Sequence, residues 1–151
     1  MNHWETHKEE VERLLMDAVV ARLALCDEDQ PYIVPVNFGF REGCIYFHSG
    51  NKGTKVEILA KNPKVAFEMD AGVEVVRKEE PCKWSMKYRS LVGRGTASLI
   101  TDDDYKKRAL DTIMAHHAPG ETFVYDERML KATNVYEIKV ESLRYRESDG
   151  S

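Results

Sequence analysis

The residues best suited to chemistry in this chain lie in the run His48-Ser-Gly-Asn-Lys-Gly-Thr-Lys55, where two glycines, two lysines and two hydroxyls fall within eight positions. A β-patterned segment precedes the run, and a short apolar-periodic stretch follows it up to Asn62-Pro63. Glycines at 50 and 53 permit a backbone that turns its N–H groups outward, and Thr54 is placed to cap a helix starting near Lys55. Ser49, Lys52 and Lys55 complete a pocket for a dianion, so a phosphorylated cofactor is the leading idea. The spacing is not that of a Walker loop, so nucleoside triphosphate chemistry has no support. The competing reading is an ordinary solvated loop, in which glycine and lysine are common.

Other reactive side chains are scattered. His48 could make a polar contact to cofactor or substrate, or donate a proton there, or could simply finish a strand. His3 and His7 have the i,i+4 spacing of a helical metal pair, but no third ligand follows, so no metal site is assigned. His116-His117 falls at an expected helix C-terminus, where the helix dipole is reason enough for it. Cys26, Cys44 and Cys82 form neither a disulfide framework nor a Cys-x-x-Cys site. The first two read as small core residues. Cys82 follows Pro81 in a loop and has no evident base beside it.

The elements that must carry these residues fit one domain. At 151 residues and 42% hydrophobic content the chain can bury a single core. A net charge of −4 and a pI of about 5.8 give no general affinity for nucleic acid or anionic membrane. No stretch approaches the roughly 20 apolar residues of a membrane span, and the first residues lack a signal-peptide pattern. A cytoplasmic protein is expected.

Thr6-x-x-Glu9 reads as a capping box before Val11, Leu14, Leu15 and Ala18, which predicts a helix over 6–17. Strands are expected over 19–26, 31–41 and 44–48, with tight turns between them, and then a helix over 55–60. Residues 64–70 form a further strand, 73–76 an edge strand, and 77–87 a loop. A long strand over 88–100 contains Gly93 and Gly95, which allow a bulge or a close backbone approach. A helix capped at Thr101-Asp-Asp-Asp104 ends near His117, a helical turn follows over 126–132, and the last strand covers 134–142. About six strands with peripheral helices make the fold mainly β with α additions, a small barrel being favoured.

Five blocks in order strengthen this picture: Pro31-Tyr-Ile-Val-Pro-Val-Asn-Phe38, Tyr46-Phe-His-Ser49, Gly53-Thr-Lys55, Asn62-Pro63, and Cys82-x-Trp84-x-x-x-Tyr88-Arg-Ser90-x-x-x-x-Gly95-x-Ala97. Together they resemble the FMN-binding split-barrel superfamily, most of all the pyridoxamine 5′-phosphate oxidase-related proteins of the nitroimidazole-resistance type. The likeness covers roughly residues 8–142 of one domain spanning 1–151.

The resemblance implies FMN as cofactor. It sets Ile33, Val34, Pro35, Val36, Asn37 and Phe38 along the flavin, with His48 and Ser49 toward the ribityl-phosphate and Thr54 and Lys55 on the phosphate. Thr54 stands where pyridoxamine-phosphate oxidases usually carry arginine, and Lys52 could supply the missing charge. Arg89 and Ser90 match the segment that reaches the cofactor of a second subunit, which implies a homodimer. Trp84 and Tyr88 are expected over the flavin, around the substrate, or in interface packing. The implied activity is reduction of a small electrophilic or nitroaromatic substrate, with His48 as the catalytic residue and a nicotinamide as transient electron donor. A non-catalytic flavin carrier, or a haem- or deazaflavin-binding relative, is the alternative.

Overall fold

The computed structural model describes residues 4–151. His3, and with it the i,i+4 pair, lies outside them. The first helix, α1 (Lys8–Asp17), turns Val11, Leu14 and Leu15 inward, as their spacing requires. The capping box does not form: His7 occupies the cap position without a side-chain capping bond, and the Thr6 hydroxyl meets His7 Nδ1 at 3.0 Å instead.

Seven antiparallel strands follow: β1 (Ala21–Asp27), β2 (Gln30–Val36), β3 (Phe38–Arg41), β4 (Cys44–Gly50), β5 (Lys64–Val76), β6 (Ser85–Leu99) and β7 (Thr133–Asp149). They make one sheet in the order β2-β1-β5-β6-β7-β4-β3. The expected 31–41 strand is therefore two strands, and the expected 64–70 and 73–76 strands are one, kinked by a register shift between Ala71 and Glu74. Strand β7 also runs past Ser142, because Leu143 and Tyr145 are buried between exposed Arg144 and Arg146 in a two-residue alternation.

The strand order explains the barrel. Strands β2 and β3 are the two edges of the sheet, yet only Asn37 separates them in the chain. Two edges joined by one residue cannot lie more than about 7 Å apart at the junction, so the sheet must curl until its edges meet at Asn37. No ladder joins them, and the barrel stays split. Pro31 and Pro35 sit in β2, where an edge strand tolerates a missing donor.

The curled sheet encloses Leu23, Phe38, Ile45, Phe47, Phe67, Met69, Leu91 and Ile138, with α1 and α2 (Thr54–Lys61) packed on it. A second cluster forms between the outer face of β4 and β7, α3 (Asp103–His117) and α4 (Glu127–Ala132). The cap of α3 is Asp102, whose carboxylate accepts from Tyr105 N at 2.8 Å, one residue later than the sequence pattern suggests. Among the described residues no helix is long and apolar enough to cross a membrane.

Gly93 and Gly95 permit close approach, as expected. A Cβ on Gly93 would lie 2.2 Å from the Phe67 ring and 2.8 Å from the Ser142 carbonyl. Gly93→Ala should cost about 1–3 kcal/mol, the usual range for overpacking. Gly50→Ala meets nothing within 4 Å and should stay within about 0.5 kcal/mol. Urea midpoints for the two variants test this, and equal midpoints would refute the contact.

Candidate functional site

Strand β4 sorts its side chains between two environments. Ile45 and Phe47 join the barrel core, whereas Cys44 and Tyr46 join the α3 cluster. Alternation then gives Ser49 the barrel phase and His48 the α3 phase. The partners across the ladder agree: His48 pairs with Val135, which belongs to the α3 cluster, and Ser49 pairs with Asn134. His48 and Ser49 therefore serve opposite faces.

After β4 the chain turns through residues 50–53 into α2. Gly53 has φ of +123°, a backbone that side-chain-bearing residues rarely adopt. Its carbonyl accepts from Glu57 N at 3.0 Å, so Gly53 is the cap and Thr54 is the first helical residue. The expected Thr54 cap is thus replaced by a glycine cap, which leaves Thr54 exposed at the first helical position. The amides of the first helical turn lack intrahelical acceptors and suit an anion. Asn51 Nδ2 reaches the Lys131 carbonyl at 3.4 Å and ties the turn to α4. Ser49 Oγ donates to the Gly50 carbonyl at 2.7 Å. Lys52 is exposed, and Lys55 is half-buried on the first turn of α2.

Burial lowers the Lys55 pKa, and burial followed by the Lys55 charge lowers that of His48. His117, the last residue of α3, joins this group. Burial, then His116 and His48, depress its pKa, while a hydrogen bond to the Phe38 backbone raises it. Its neighbour His116 donates from Nε2 to the Ala18 carbonyl at 2.6 Å and lies 4.5 Å from the Phe38 ring. The sequence places the two histidines at a helix end but carries no sign of this meeting.

The folded chain thus gives up protons at His48 and His117 that the unfolded chain keeps. Their contribution to stability is whole above the ordinary histidine pKa of about 6.5 and is lost as the pH falls from there toward the depressed folded values. His48→Gln should flatten the decline of Tm between about pH 7 and 5. Parallel melting profiles for parent and variant would contradict this.

The other predicted positions are spread out. On β2, Ile33 and Pro35 are exposed, Val34 is half-buried and Val36 is buried; Asn37 is exposed at the seam, and Phe38 is fully buried in the core. Val36 and Phe38 therefore offer a ligand only backbone atoms. Arg89 ion-pairs with Asp17 of its own chain at 2.9 Å. Ser90 is half-buried and pairs with Asp70 and Arg146. Beside it, Arg22 bridges Glu68 and Asp70, at 3.0 Å from each, a cluster that no local motif announces. Cys26 and Cys44 are half-buried rather than fully in the core, and burial, then Glu137, keeps the Cys44 thiol protonated. Cys82 is exposed in a 3-10 turn (Pro81–Lys83). Trp84 donates Nε1–H to the Lys78 carbonyl and lies under Arg77.

The curled, unclosed sheet, with β4 turning directly into α2, defines a split β-barrel of the kind the motif order implies. A family model described as pyridoxamine 5′-phosphate oxidase matches residues 7–147. The chain belongs to the pyridoxamine 5′-phosphate oxidase family. It is similar to the structure of a candidate 5-nitroimidazole antibiotic resistance protein from Bacteroides thetaiotaomicron, with 30% identity, 91% of this chain and 82% of that one covered, and a TM-score of 0.82. It is also similar to the FAD and haem binding protein from Mycobacterium smegmatis, with 25% identity, 95% and 72% coverage, and a TM-score of 0.86. The protein RA0666 of Rhizobium meliloti is 36% identical over 69 residues, which span 41% of this chain and 40% of that protein.

Proposed function

We propose that this protein is an FMN-dependent oxidoreductase that reduces a small electrophilic or nitroaromatic substrate. The carrying observation is the turn from β4 into α2, where half-buried Lys55, exposed Thr54 and the open amides of a glycine-capped helix suit a phosphate. FMN bound there supplies hydride or electron transfer. Lys55 and Thr54 would hold the phosphate, the β2 backbone from Ile33 to Asn37 would orient the ring, and His48, within reach of the Lys55 charge, would face the substrate beside the ring. The electron donor is a nicotinamide bound transiently, since the chain carries no Gly-x-Gly-x-x-Gly site. Three unpaired cysteines suit a cytoplasmic setting.

The site is completed by a second copy. Ser49 and Ser90 both pair with β7, at Asn134 and Arg146, which lie twelve residues apart on that strand. Twelve residues of strand cover about 40 Å of contour, so Ser90 and Ser49 of one chain sit far apart along β7, on its two sides. If Arg89 and Ser90 contact the flavin, they do so in the partner's site. Light scattering at micromolar protein should give a dimer when FMN is bound, and an FMN-saturated monomer would contradict the assembly.

The activity itself is tested anaerobically, with protein, FMN, a reduced nicotinamide and a nitroimidazole. Many product molecules per protein support an enzyme; a single stoichiometric reduction, or none above free FMN, supports a flavin carrier. A second reading, haem in the same barrel, draws on the name of the Mycobacterium smegmatis neighbour and on the depressed His48 pKa, which leaves a neutral imidazole nitrogen as a possible ligand. A Soret band after reconstitution would favour it.

A further inference from the structure

We infer that the cleft between α1, β3 and α3 is a second small-molecule site, specific for a monocarboxylate with a compact apolar body. The cleft holds about 480 Å³, within the range of ligand sites. It contains none of the residues assigned to the flavin. Its floor is apolar, made by Leu15, Phe40 and Ala115, and Trp4 supports Phe40 at a ring separation of 5.0 Å.

The floor is held rigidly. A Cβ on Gly39 would lie 2.5 Å from the Thr112 carbonyl, so β3 and α3 touch backbone to backbone. His116, on the wall, is fixed by its bond to Ala18. Such a preformed cavity binds without first being ordered.

Two guanidiniums stand at its mouth. Arg108 makes no ion pair among the described residues and rests over the Tyr105 ring at 5.4 Å. Arg41 has only a 3.9 Å contact with the exposed Glu42. A smaller recess of about 130 Å³ shares Arg41, Arg108 and Thr112 and is lined also by Glu42, Tyr46 and Tyr105. The guanidiniums therefore line both spaces, next to the apolar floor of Leu15, Phe40 and Ala115, an arrangement that receives a carboxylate head with its body on the floor.

The sign of the wall limits the ligand further. Asp111, on the wall, already accepts from the Tyr125 hydroxyl at 2.9 Å. Arg41 and Arg108 are set against Asp111 and the exposed Glu42, so the group carries no surplus of positive charge to hold a polyphosphate, and one carboxylate on the guanidinium fork is the most it takes.

The probe is 4-phenylbutyrate, titrated into the full chain and followed by amide and methyl NMR shifts, with 4-phenylbutanol as its uncharged counterpart. The expected result is saturable shifts at Leu15 and Ala115 with Kd below about 1 mM, at least roughly tenfold weaker binding of the alcohol, and a similar loss in the Arg41→Gln/Arg108→Gln variant. Ala115→Leu, which fills the floor and keeps both charges, should also abolish the shifts. Non-saturating shifts up to about 10 mM, equal binding of the alcohol, or an unchanged Kd in the double variant would overturn the inference.

Discussion

Lys55→Ala is expected to weaken FMN binding by on the order of 1.5–3 kcal/mol while leaving riboflavin binding nearly unchanged. The loss follows from where Lys55 sits. It is on the first turn of α2, half-buried, beside amides that have no acceptor in the helix. Partial burial lowers the screening of its charge and strengthens a charge-assisted bond to phosphate. Riboflavin has no phosphate and never makes that bond. Calorimetric titration of both ligands into both proteins separates the cases. Equal losses would mean that the lysine supports the fold of the turn rather than the phosphate, and equal parent affinities for FMN and riboflavin would remove the anion site altogether.

His48→Ala is expected to lower nitroaromatic or quinone reduction by roughly 10²-fold, the usual effect of losing a positioned proton donor, with FMN occupancy and Tm near those of the parent. The alternation of β4 carries this prediction, since His48 shares the α3 phase while Ser49 takes the barrel phase. The depressed pKa adds a condition. At neutral pH the imidazole is uncharged and acts through its N–H; supply of a full proton requires the cation, which grows as the pH falls through the lowered value. The His48-dependent part of the rate should therefore rise on acidification. Unchanged rates at matched occupancy would take His48 out of the mechanism, and loss of FMN would move it into the cofactor shell.

How far the sequence reached depends on the range of the interactions involved. Strand cores such as Ile45 and Phe47, the apolar stripe of α1 and the glycines of β6 were legible because period and residue type are local signals. The split at Asn37 was not, since Pro31-Tyr-Ile-Val-Pro-Val-Asn-Phe38 reads as one strand until the sheet curls and sends its halves to opposite edges. Pairing with β6 likewise drew the predicted edge strand at 73–76 into β5 and carried β7 to Asp149.

The site shows the same division. The 48–55 turn is continuous in the chain, so its chemistry could be read from residue types. His117 comes to His48 across 69 positions, and Arg22 to Glu68 and Asp70 across 46 and 48. Only the packing of α3 on β4, and of β1 against β5, brings these groups together. Arg89 differs again, because its sequence context marks it for a partner, yet in a single chain it is held by Asp17.

The central claim is redox turnover by a flavin held at the β4–α2 turn. The most direct test is the absorption spectrum of the FMN-reconstituted protein during anaerobic addition of a reduced nicotinamide, followed by a nitroimidazole. The account predicts flavin bands that bleach with the nicotinamide and return with the nitroimidazole. A bound flavin that stays oxidised throughout, or a protein that retains no flavin, would contradict it.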